Sequence, residues 1–291
     1  MIIVNIIGGL GNQMFQYAIG KAIAIKSKQK LKLDTTSFQH YTLRNYELDV
    51  FNIDTEIASK EEINHLKYNK PSFVEKLYII LNKKSLPLKN RYYKEKKFQF
   101  DTEILSLRQS IYLEGYWQSE KYFITHKDIL IKEFTPKKEI SHQSSLFHKM
   151  MQAKTSVSLH IRRGDYVNNP TTNSFHGTCS LDYYKNAVSF ITKKIDNPHF
   201  FIFSDDLIWA KENLNFITQI TFVELNKDIP DYEEMYLMSQ CKHNIIANSS
   251  FSWWGAWLNQ NSDKIVISPK KWFRDKTVDT IDLIPSSWIR L

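Results

Sequence analysis

The chain has 291 residues, of which 42% are hydrophobic and 24% charged, and its mean hydropathy is -0.41. This balance excludes an intrinsically disordered chain and a polytopic membrane protein, and the length suits two domains or one large α/β unit. The formal net charge of +8 keeps a basic nucleic-acid-binding protein among the classes to consider.

The apolar runs, the first eight residues and the cysteines limit the class of protein further. The longest uninterrupted apolar run, at 77–81, is far shorter than the roughly 20 residues of a membrane-spanning helix. Residues 1–8 have the pattern of a core strand and lack the basic start of a signal peptide, so we expect a cytoplasmic protein. Cys179 and Cys241 are too few for a disulfide scaffold, and we expect both to be reduced structural thiols.

The N-terminal part begins with a predicted strand through Ile7, a glycine turn at 8–13 and a helix to about residue 27. Three of the chain's eight glycines lie in this turn. In α/β proteins a strand, a glycine turn and a helix present backbone N–H groups to a phosphate at the helix N-terminus. The next predicted elements are a strand at 31–34, helices near 60–68 and 72–82, and a strand at 111–114.

The positive charge is concentrated in residues 67–97, which contain ten Lys or Arg and two Glu. The net charge of this segment is therefore +8, and the rest of the chain is neutral overall. Such a segment is suited to phosphate, nucleic acid or anionic lipid, and a solvated surface insertion has the same composition. Apolar residues at helical spacing from Phe73 to Leu81 predict either an interfacial helix on an anionic membrane or a helix that packs on its own domain.

From about residue 154, apolar strands alternate with helices, which indicates a parallel sheet. The predicted strands are 156–161, 199–203, 220–224, 243–247 and 264–268, and the predicted helices are 206–215, 231–241 and 252–260. Three strands run directly into polar clusters, RRGD at 162–165, SDD at 204–206 and NSS at 248–250. Because ligands bind outside the carboxyl edge of open parallel sheets, we expect one ligand to contact all three clusters.

The residue types in these clusters favour a nucleotide diphosphate conjugate. Arg162 and Arg163 supply permanently charged forks for phosphate oxygens, and the two serines at a helix start suit the same anion. Asp205 and Asp206 would repel phosphate but can accept hydrogen bonds from ribose hydroxyls or a guanine edge. A metal bound by these two carboxylates is the alternative. Two arginines and a helix N-terminus can neutralise a leaving diphosphate, so we predict no metal.

Five motifs resemble the bacterial α-1,2-fucosyltransferases of glycosyltransferase family 11, in the same order and over nearly the whole chain. They are GGLGNQMFQYA at 8–18, GYWQSEKYF at 115–123, HIRRGDY at 160–166, FSDD at 203–206 and NSSFSWWGAWL at 248–258. HIRRGDY and NSSFSWWGAWL are highly specific for this family, whereas FSDD alone is weak evidence for it. The resemblance implies an α/β, GT-B-like fold of two Rossmann-type domains that face a cleft.

The resemblance also implies a reaction: inverting, metal-independent transfer of L-fucose from GDP-β-L-fucose to O2 of a terminal galactose in a glycan. Alternatives are another nucleotide sugar as donor, or the nucleic-acid-binding protein considered above. No cofactor is expected, because GDP-fucose is a substrate. By resemblance Arg162 holds the diphosphate and is the most catalytically sensitive residue, and Gly11, Asn12 and Gln13 contact donor or acceptor. The full set of predicted donor contacts is Gly9, Gly11, Asn12, Gln13, His160, Arg162, Arg163, Asp205, Asp206, Asn248, Ser249, Ser250 and Phe251.

The expected organisation is an N-terminal domain at 1–153 that largely binds the acceptor and a C-terminal domain at 154–270 that binds GDP-fucose. We expect the final segment, 271–291, to pack back on the first domain. The partners are GDP-fucose and a galactose-terminated glycan, with peripheral contact to an anionic membrane through 67–97 as the interfacial alternative.

Three residues keep two interpretations each. Asp165 is the nearest motif carboxylate for a catalytic base, but it can instead clamp one of the neighbouring arginines. His160 is either a satisfied core histidine or a donor contact. Trp253 either stacks on a sugar or packs in the core.

Overall fold

The computed structural model describes residues 1–68, 91–164, 167, 170–275 and 277–291. The chain forms two compact units, Met1–Lys137 and Lys138–Leu291. Each unit contains one parallel sheet with helices packed on it.

The first unit is built on a five-stranded sheet in the order β3-β2-β1-β5-β4, and every neighbouring pair is parallel. Its strands are β1 (Ile2–Asn5), β2 (Leu31–Asp34), β3 (Glu56–Ile57), β4 (Tyr92–Lys94) and β5 (Ile111–Glu114). The central strand β1 is entirely apolar up to Asn5 and buried, as expected for a strand covered on both faces.

Three described α-helices accompany this sheet: α1 (Leu10–Ser27), α2 (Lys60–Lys67) and α3 (Lys127–Glu133). Helix α1 ends where Lys28 adopts a left-handed conformation and its N–H bonds back to the last turn. Helix α2 begins with a capping box between Ser59 and Glu62 and buries Ile63 and Leu66 against the sheet. Short 3₁₀ helices lie at Thr36–Gln39, Leu48–Val50, Glu103–Ser106, Glu120–Tyr122 and Ile124–His126.

The second unit contains a six-stranded parallel sheet in the order β11-β10-β9-β6-β7-β8. Its strands are β6 (Thr155–Ile161), β7 (Pro198–Ser204), β8 (Ile220–Phe222), β9 (His243–Ile245), β10 (Val266–Ser268) and β11 (Ile289–Arg290). Its described α-helices are α4 (His142–Gln152), α5 (Pro170–Phe175), α6 (Leu181–Lys194), α7 (Leu207–Asn213), α8 (Asp231–Gln240) and α9 (Ser250–Leu258).

The division between the units comes earlier than the boundary at residues 153 and 154 that the sequence suggested. Helix α4 belongs to the second unit, where Met151 packs with Phe201 in a buried cluster. Ser141, at the start of this helix, donates from its backbone N and its Oγ to Glu233 Oε2 at 3.0 and 2.7 Å. These contacts explain why the helix before β6 folds with the sheet that follows it.

The final segment, 271–291, belongs to the second unit, and its packing on the first domain stays a prediction. Strand β11 extends the second sheet by pairing with β10, with Ile289 opposite Ile267. Leu283 O accepts a hydrogen bond of 2.9 Å from the buried indole Nε1 of Trp253. The C-terminal segment therefore completes the sheet and core of the second unit.

Most predicted elements are confirmed within one to three residues at their ends. The helix predicted near 60–68 is α2, and the strand predicted at 111–114 is β5. The predicted helix at 72–82 and most of the basic segment 67–97 lie outside the described residues. In the part of the chain that the structure describes, none of the helices combines the length and apolar character needed to cross a membrane.

Candidate functional site

The three polar clusters predicted at strand ends follow three neighbouring strands of the second sheet. Strand β6 lies between β9 and β7, and the three strands are parallel. Ile161, the last residue of β6, is opposite Ser204, the last residue of β7. The segments that begin at Arg162, Asp205 and Ile246 therefore leave the sheet at the same carboxyl edge, as the sequence predicted.

Arg162 is held at this edge by a carboxylate from the neighbouring strand end. Its Nη1 lies 3.2 Å from Asp205 Oδ2, and the two side chains are 22% and 24% exposed. The same carboxylate accepts from the backbone N of Arg163 at 2.8 Å and of Gly164 at 3.0 Å. A Cβ on Gly164 would lie 2.8 Å from Asp205 Oδ2, so this close approach requires glycine. Asp205 thus fixes both the arginine side chain and the turn that carries it.

Arg163 has a different environment. Its Nε bonds Asp206 Oδ2 at 3.1 Å, and its guanidinium lies 4.2 Å from the centre of the Trp209 ring. Asp206 is also the N-cap of α7, because its Oδ1 accepts from Trp209 N at 3.1 Å. These contacts tie the turn after β6 to the first turn of α7.

The predicted role of Asp165 is not tested, because this residue lies outside the described residues. The clamp on the arginines that the sequence offered as one role for it is provided by Asp205 and Asp206. Whether these two carboxylates also contact ribose or base stays a prediction.

His160 is the penultimate residue of β6 and is 4% exposed. Its Nδ1 has no hydrogen-bond partner among the described residues, and its ring centre lies 6.0 Å from that of Phe251. Burial, with a smaller effect of the Arg162 charge, lowers the pKa of His160 to about 3. The ring is therefore neutral at physiological pH. A buried polar atom without a partner favours a ligand contact over a satisfied core histidine.

The N-terminus of α9 supplies further donors at the same edge. Ser249 is the N-cap, and its Oγ accepts from Phe251 N at 3.3 Å. Ser250 is the first residue of the helix, and its hydroxyl makes no hydrogen bond within the described residues. A helix start with free donors is suited to an anion.

Asn248 is buried, and its side chain forms hydrogen bonds to other residues of the second unit. Its Nδ2 donates to the carbonyl oxygens of Gly177 and Trp272, both at 3.0 Å, and of His176 at 3.2 Å. Its Oδ1 accepts from Cys179 Sγ at 3.4 Å. Asn248 therefore joins three loops at the carboxyl edge and positions the start of α9.

The tryptophans of the NSSFSWWGAWL motif are core residues. Trp253 and Trp254 are fully buried, and the rings of Trp253 and Trp257 stack at 6.2 Å. Of the two interpretations of Trp253, the structure supports core packing.

Glu234 is a member of the site that the sequence did not indicate. It lies in the first turn of α8. Burial and the negative charges of Asp231 and Asp205 raise its pKa to about 7, and the positive charge of Arg162 has a smaller, opposite effect. A carboxylate among the three acidic residues in the first turn of α8 gives no signal in a single sequence, because its proximity to Arg162 depends on tertiary packing. It brings a third acidic group to the surroundings of the arginine.

The other predicted site residues lie in the first unit, at the carboxyl end of β1. Gly8 has φ +87 and Gly9 is the N-cap of α1, so the glycine turn opens the helix as predicted. Gln13 is buried and donates to Gly8 O and Asn45 O, both at 2.8 Å, so its amide holds two loops together. Gly11 is buried in the first turn of the helix, and Asn12 Oδ1 accepts from Gln118 Nε2 at 2.7 Å.

No group of three or more His, Cys, Asp or Glu side chains is placed to hold a metal ion in the part of the chain that the structure describes. The carboxylates nearest the predicted site, Asp205 and Asp206, are instead bonded to arginines and backbone amides.

The sequence of the chain matches the model of a known family. The model of that family, glycosyl transferase family 11, matches residues 1–291. The chain belongs to glycosyl transferase family 11.

Two Escherichia coli relatives in this family match over almost their whole length. The chain is 38% identical over 298 residues to an alpha-1,2-colitosyltransferase, with 100% of this chain and 99% of the relative covered. It is 37% identical over 308 residues to the O-antigen biosynthesis glycosyltransferase WbnK, with 98% of each covered. The galactoside alpha-(1,2)-fucosyltransferase 2 of Rattus norvegicus is 23% identical over 265 residues, with 89% of this chain and 67% of the relative covered.

Among solved structures, the chain is similar to the fucosyltransferase NodZ from Bradyrhizobium. The TM-score is 0.52 at 12% identity, with 87% of this chain and 91% of that chain covered. The match confirms the α/β, GT-B-like fold that the resemblance implied.

Proposed function

We propose that this family 11 glycosyltransferase transfers L-fucose from GDP-β-L-fucose to O2 of a terminal galactose in a glycan, with inversion at C1 and formation of an α-1,2 linkage. The observation that carries the proposal is Arg162, held by Asp205 at the carboxyl edge of the second sheet. The partly exposed arginine lies at the edge where parallel sheets bind nucleotides.

The site suggests where each part of the donor binds. In this proposal the β-phosphate lies on Arg162, and the diphosphate also contacts the hydroxyl of Ser250 and the helix N-terminus there. His160 and Phe251 form the aromatic side of the same edge and contact the nucleoside. The structure of NodZ co-crystallised with GDP, with a TM-score of 0.53, is consistent with GDP binding in this fold.

The chemistry follows from this placement. The galactose hydroxyl oxygen forms a bond to C1 of fucose, the bond from C1 to the β-phosphate oxygen breaks, and GDP leaves with the electron pair. Arg162 stabilises the charge that grows on the β-phosphate, and the pairing with Asp205 fixes its guanidinium before the reaction begins. The hydroxyl proton passes to a base or to solvent, and Asp165 is the residue that the sequence offers for this step.

We further propose that the reaction needs no metal ion. The support is electrostatic: Arg162 and the N-terminus of α9 supply fixed positive charge where a metal would otherwise neutralise the leaving diphosphate.

A second candidate donor is an activated colitose. The relative with 38% identity over the whole chain is named an alpha-1,2-colitosyltransferase, which makes colitose the alternative to fucose as the transferred sugar. The proposed role of Arg162 at the leaving phosphate is the same for both donors.

The deciding experiment incubates the purified protein with GDP-fucose or GDP-colitose and a panel of β1,3- and β1,4-linked galactosides, and determines the product linkage by NMR. We expect fucose on O2 of the terminal galactose. Transfer of colitose alone would select the second donor, and absence of transfer and of GDP binding would refute the proposal.

A further inference from the structure

The turn that follows β5 in the first unit is held in a strained conformation. Trp117 is fully buried and has φ +56, in the left-handed region that a bulky residue rarely adopts. Its indole Nε1 has no hydrogen-bond partner within the described residues. Both features cost stability, and such cost is concentrated at functional sites.

A carboxylate fixes the backbone of this turn. Glu95 accepts from the backbone N of Tyr116 at 2.7 Å and of Trp117 at 3.1 Å. A Cβ on Gly115 would lie 2.4 Å from Glu95 Cβ and 2.9 Å from the Trp117 ring, so a larger residue does not fit there. The backbone on both sides of Tyr116 is therefore locked.

This fixed backbone holds the side chain of Tyr116 partly exposed to solvent. Tyr116 is 45% exposed, between a glycine without a side chain and a fully buried tryptophan. Partial burial, with smaller effects of Tyr41 and Glu95, raises the pKa of Tyr116, so its hydroxyl stays neutral at physiological pH. A rigid ring with a neutral hydroxyl offers an apolar face and a polar tip to a ligand.

The neighbouring strand end provides a hydrogen-bond donor. Gln118 Nε2 donates to Asn12 Oδ1 at 2.7 Å, and Gln16 Nε2 donates to Gly115 O at 3.2 Å. These bonds connect the turn after β5 to the glycine turn after β1, and β1 and β5 are adjacent in the sheet. Because its oxygen is taken by Gln118, the orientation of the Asn12 amide is fixed. Its Nδ2 has no partner among the described residues.

We propose that Tyr116 and Asn12 form a subsite for the acceptor, with the Tyr116 ring stacked on the apolar face of a terminal hexopyranose and the Asn12 amide bonded to one of its hydroxyls. The inference rests on the proposed function and names two residues that recognise the acceptor. Glu95, whose carboxylate bonds the backbone N of Tyr116 and whose charge acts on the tyrosine, suits an uncharged sugar better than a nucleoside diphosphate.

The test compares Tyr116→Ala with wild type in kinetics in which the acceptor, lactose, and the donor, GDP-fucose, are varied separately. We expect the KM for lactose to rise about tenfold, as loss of an aromatic stacking contact implies, with the KM for GDP-fucose within twofold of wild type. Tyr116→Phe keeps the ring and should stay within about threefold of wild type, since only the hydroxyl is lost.

Asn12→Asp tests the second residue without removing the bond from Gln118, because an oxygen is retained while the amide donor is replaced by a charged carboxylate oxygen. We expect a higher KM for lactose with this variant as well. Tyr68→Ala removes another tyrosine of the first unit, which is 59% exposed, and is the matched control with unchanged kinetics. Circular dichroism melting curves verify that all variants are folded.

An unchanged KM for lactose in Tyr116→Ala, or a rise in the KM for GDP-fucose in its place, would overturn the acceptor subsite. Failure of the proposed function has a different signature, since the wild-type protein would then transfer fucose to no galactoside. Saturation-transfer NMR with lactose provides a readout besides activity: we expect the signal of wild type and Tyr68→Ala to be lost in Tyr116→Ala.

Discussion

The guanidinium of Arg162 and the carboxylate of Asp205 form an ion pair of 3.2 Å between two adjacent strand ends, and the same carboxylate binds the backbone N of Arg163 and Gly164. Asp205 thus stabilises one conformation of the turn and of the arginine that it carries. Since catalysis by a fixed charge depends on orientation before the reaction, this pair connects the fold directly to the proposed chemistry.

Replacement of Arg162 should abolish most of the activity and leave the fold intact. We expect Arg162→Ala to lower kcat at least about a hundredfold, the cost of one preorganised donor to a developing negative charge. Arg162→Lys should recover only part of the loss, because an ammonium is a point charge without the planar fork. Initial rates at saturating GDP-fucose measure the effect, with the exposed Arg108→Ala as control. Activity of Arg162→Ala within threefold of wild type would refute the role.

Asp205 and Arg162 should behave as one unit in a double-mutant cycle. If Asp205 acts by positioning the arginine, Asp205→Ala lowers kcat strongly, but adding it to Arg162→Ala has little further effect. The measurement is kcat for the two single variants and the double variant. Additive losses would show that Asp205 acts independently of Arg162, for example through ribose or base.

The strand ends were predictable from the sequence, whereas the contacts between them were not. Alternation of apolar residues located β6, a continuous aromatic and apolar run located β7, and the change from apolar to polar residues located the loops after them. The partners of Asp205 depend on which strands become neighbours, and no local pattern encodes that order. The same holds for Glu234, whose environment is created by packing.

Some elements were missed for different reasons. Strands β3 and β4 have two and three residues, and they are held as strands by pairing with longer neighbours. Helix α6 does have a local sequence signal, a Ser180 cap followed by Tyr184, Ala187 and Ile191 on one buried face. The packing of the C-terminal segment on the second unit follows from sheet pairing by β11, for which two residues give no sequence signal.

Transfer should continue in excess EDTA. The proposed electrostatic stabilisation comes from Arg162 and the N-terminus of α9, so chelation removes nothing that the reaction needs. Rates are measured after dialysis against EDTA, with and without added Mn²⁺. Complete loss of activity that Mn²⁺ restores would reverse the prediction.

Docking of residues 67–97 on an anionic membrane stays a prediction from charge. Within this segment Lys67 pairs with Glu114 at 3.0 Å, so part of the positive charge is neutralised in the first unit. The remaining lysines near an anionic surface would contribute about 1 kcal/mol each at low salt. We expect sedimentation with anionic vesicles that is lost at about 0.5 M salt, where screening is strong.

A variant with Lys70, Lys76, Lys83, Lys84 and Lys89 changed to Gln should also stay in the supernatant. Equal recovery of wild type in the supernatant with anionic and neutral vesicles would exclude docking.

Glu234 should make the second unit less stable as the pH rises toward neutrality. Its pKa of about 7 in the folded protein is above its ordinary value of 4.5, so the folded state retains the proton more strongly than the unfolded state. The contribution of the neutral form to stability is therefore complete below about pH 4.5 and is lost as the pH rises through 7.

Glu234→Gln removes this titration, because the amide is neutral at every pH. We expect the variant to gain stability relative to wild type between pH 5 and pH 8, by at most about 3 kcal/mol. Urea unfolding is followed by tryptophan fluorescence, since Trp253, Trp254 and Trp257 are all buried in this unit. Glu224→Gln, which removes an exposed carboxylate of the same unit, is the control. A difference between wild type and Glu234→Gln that does not change over this pH range would show that Glu234 is ionised throughout, and that Arg162 compensates its burial.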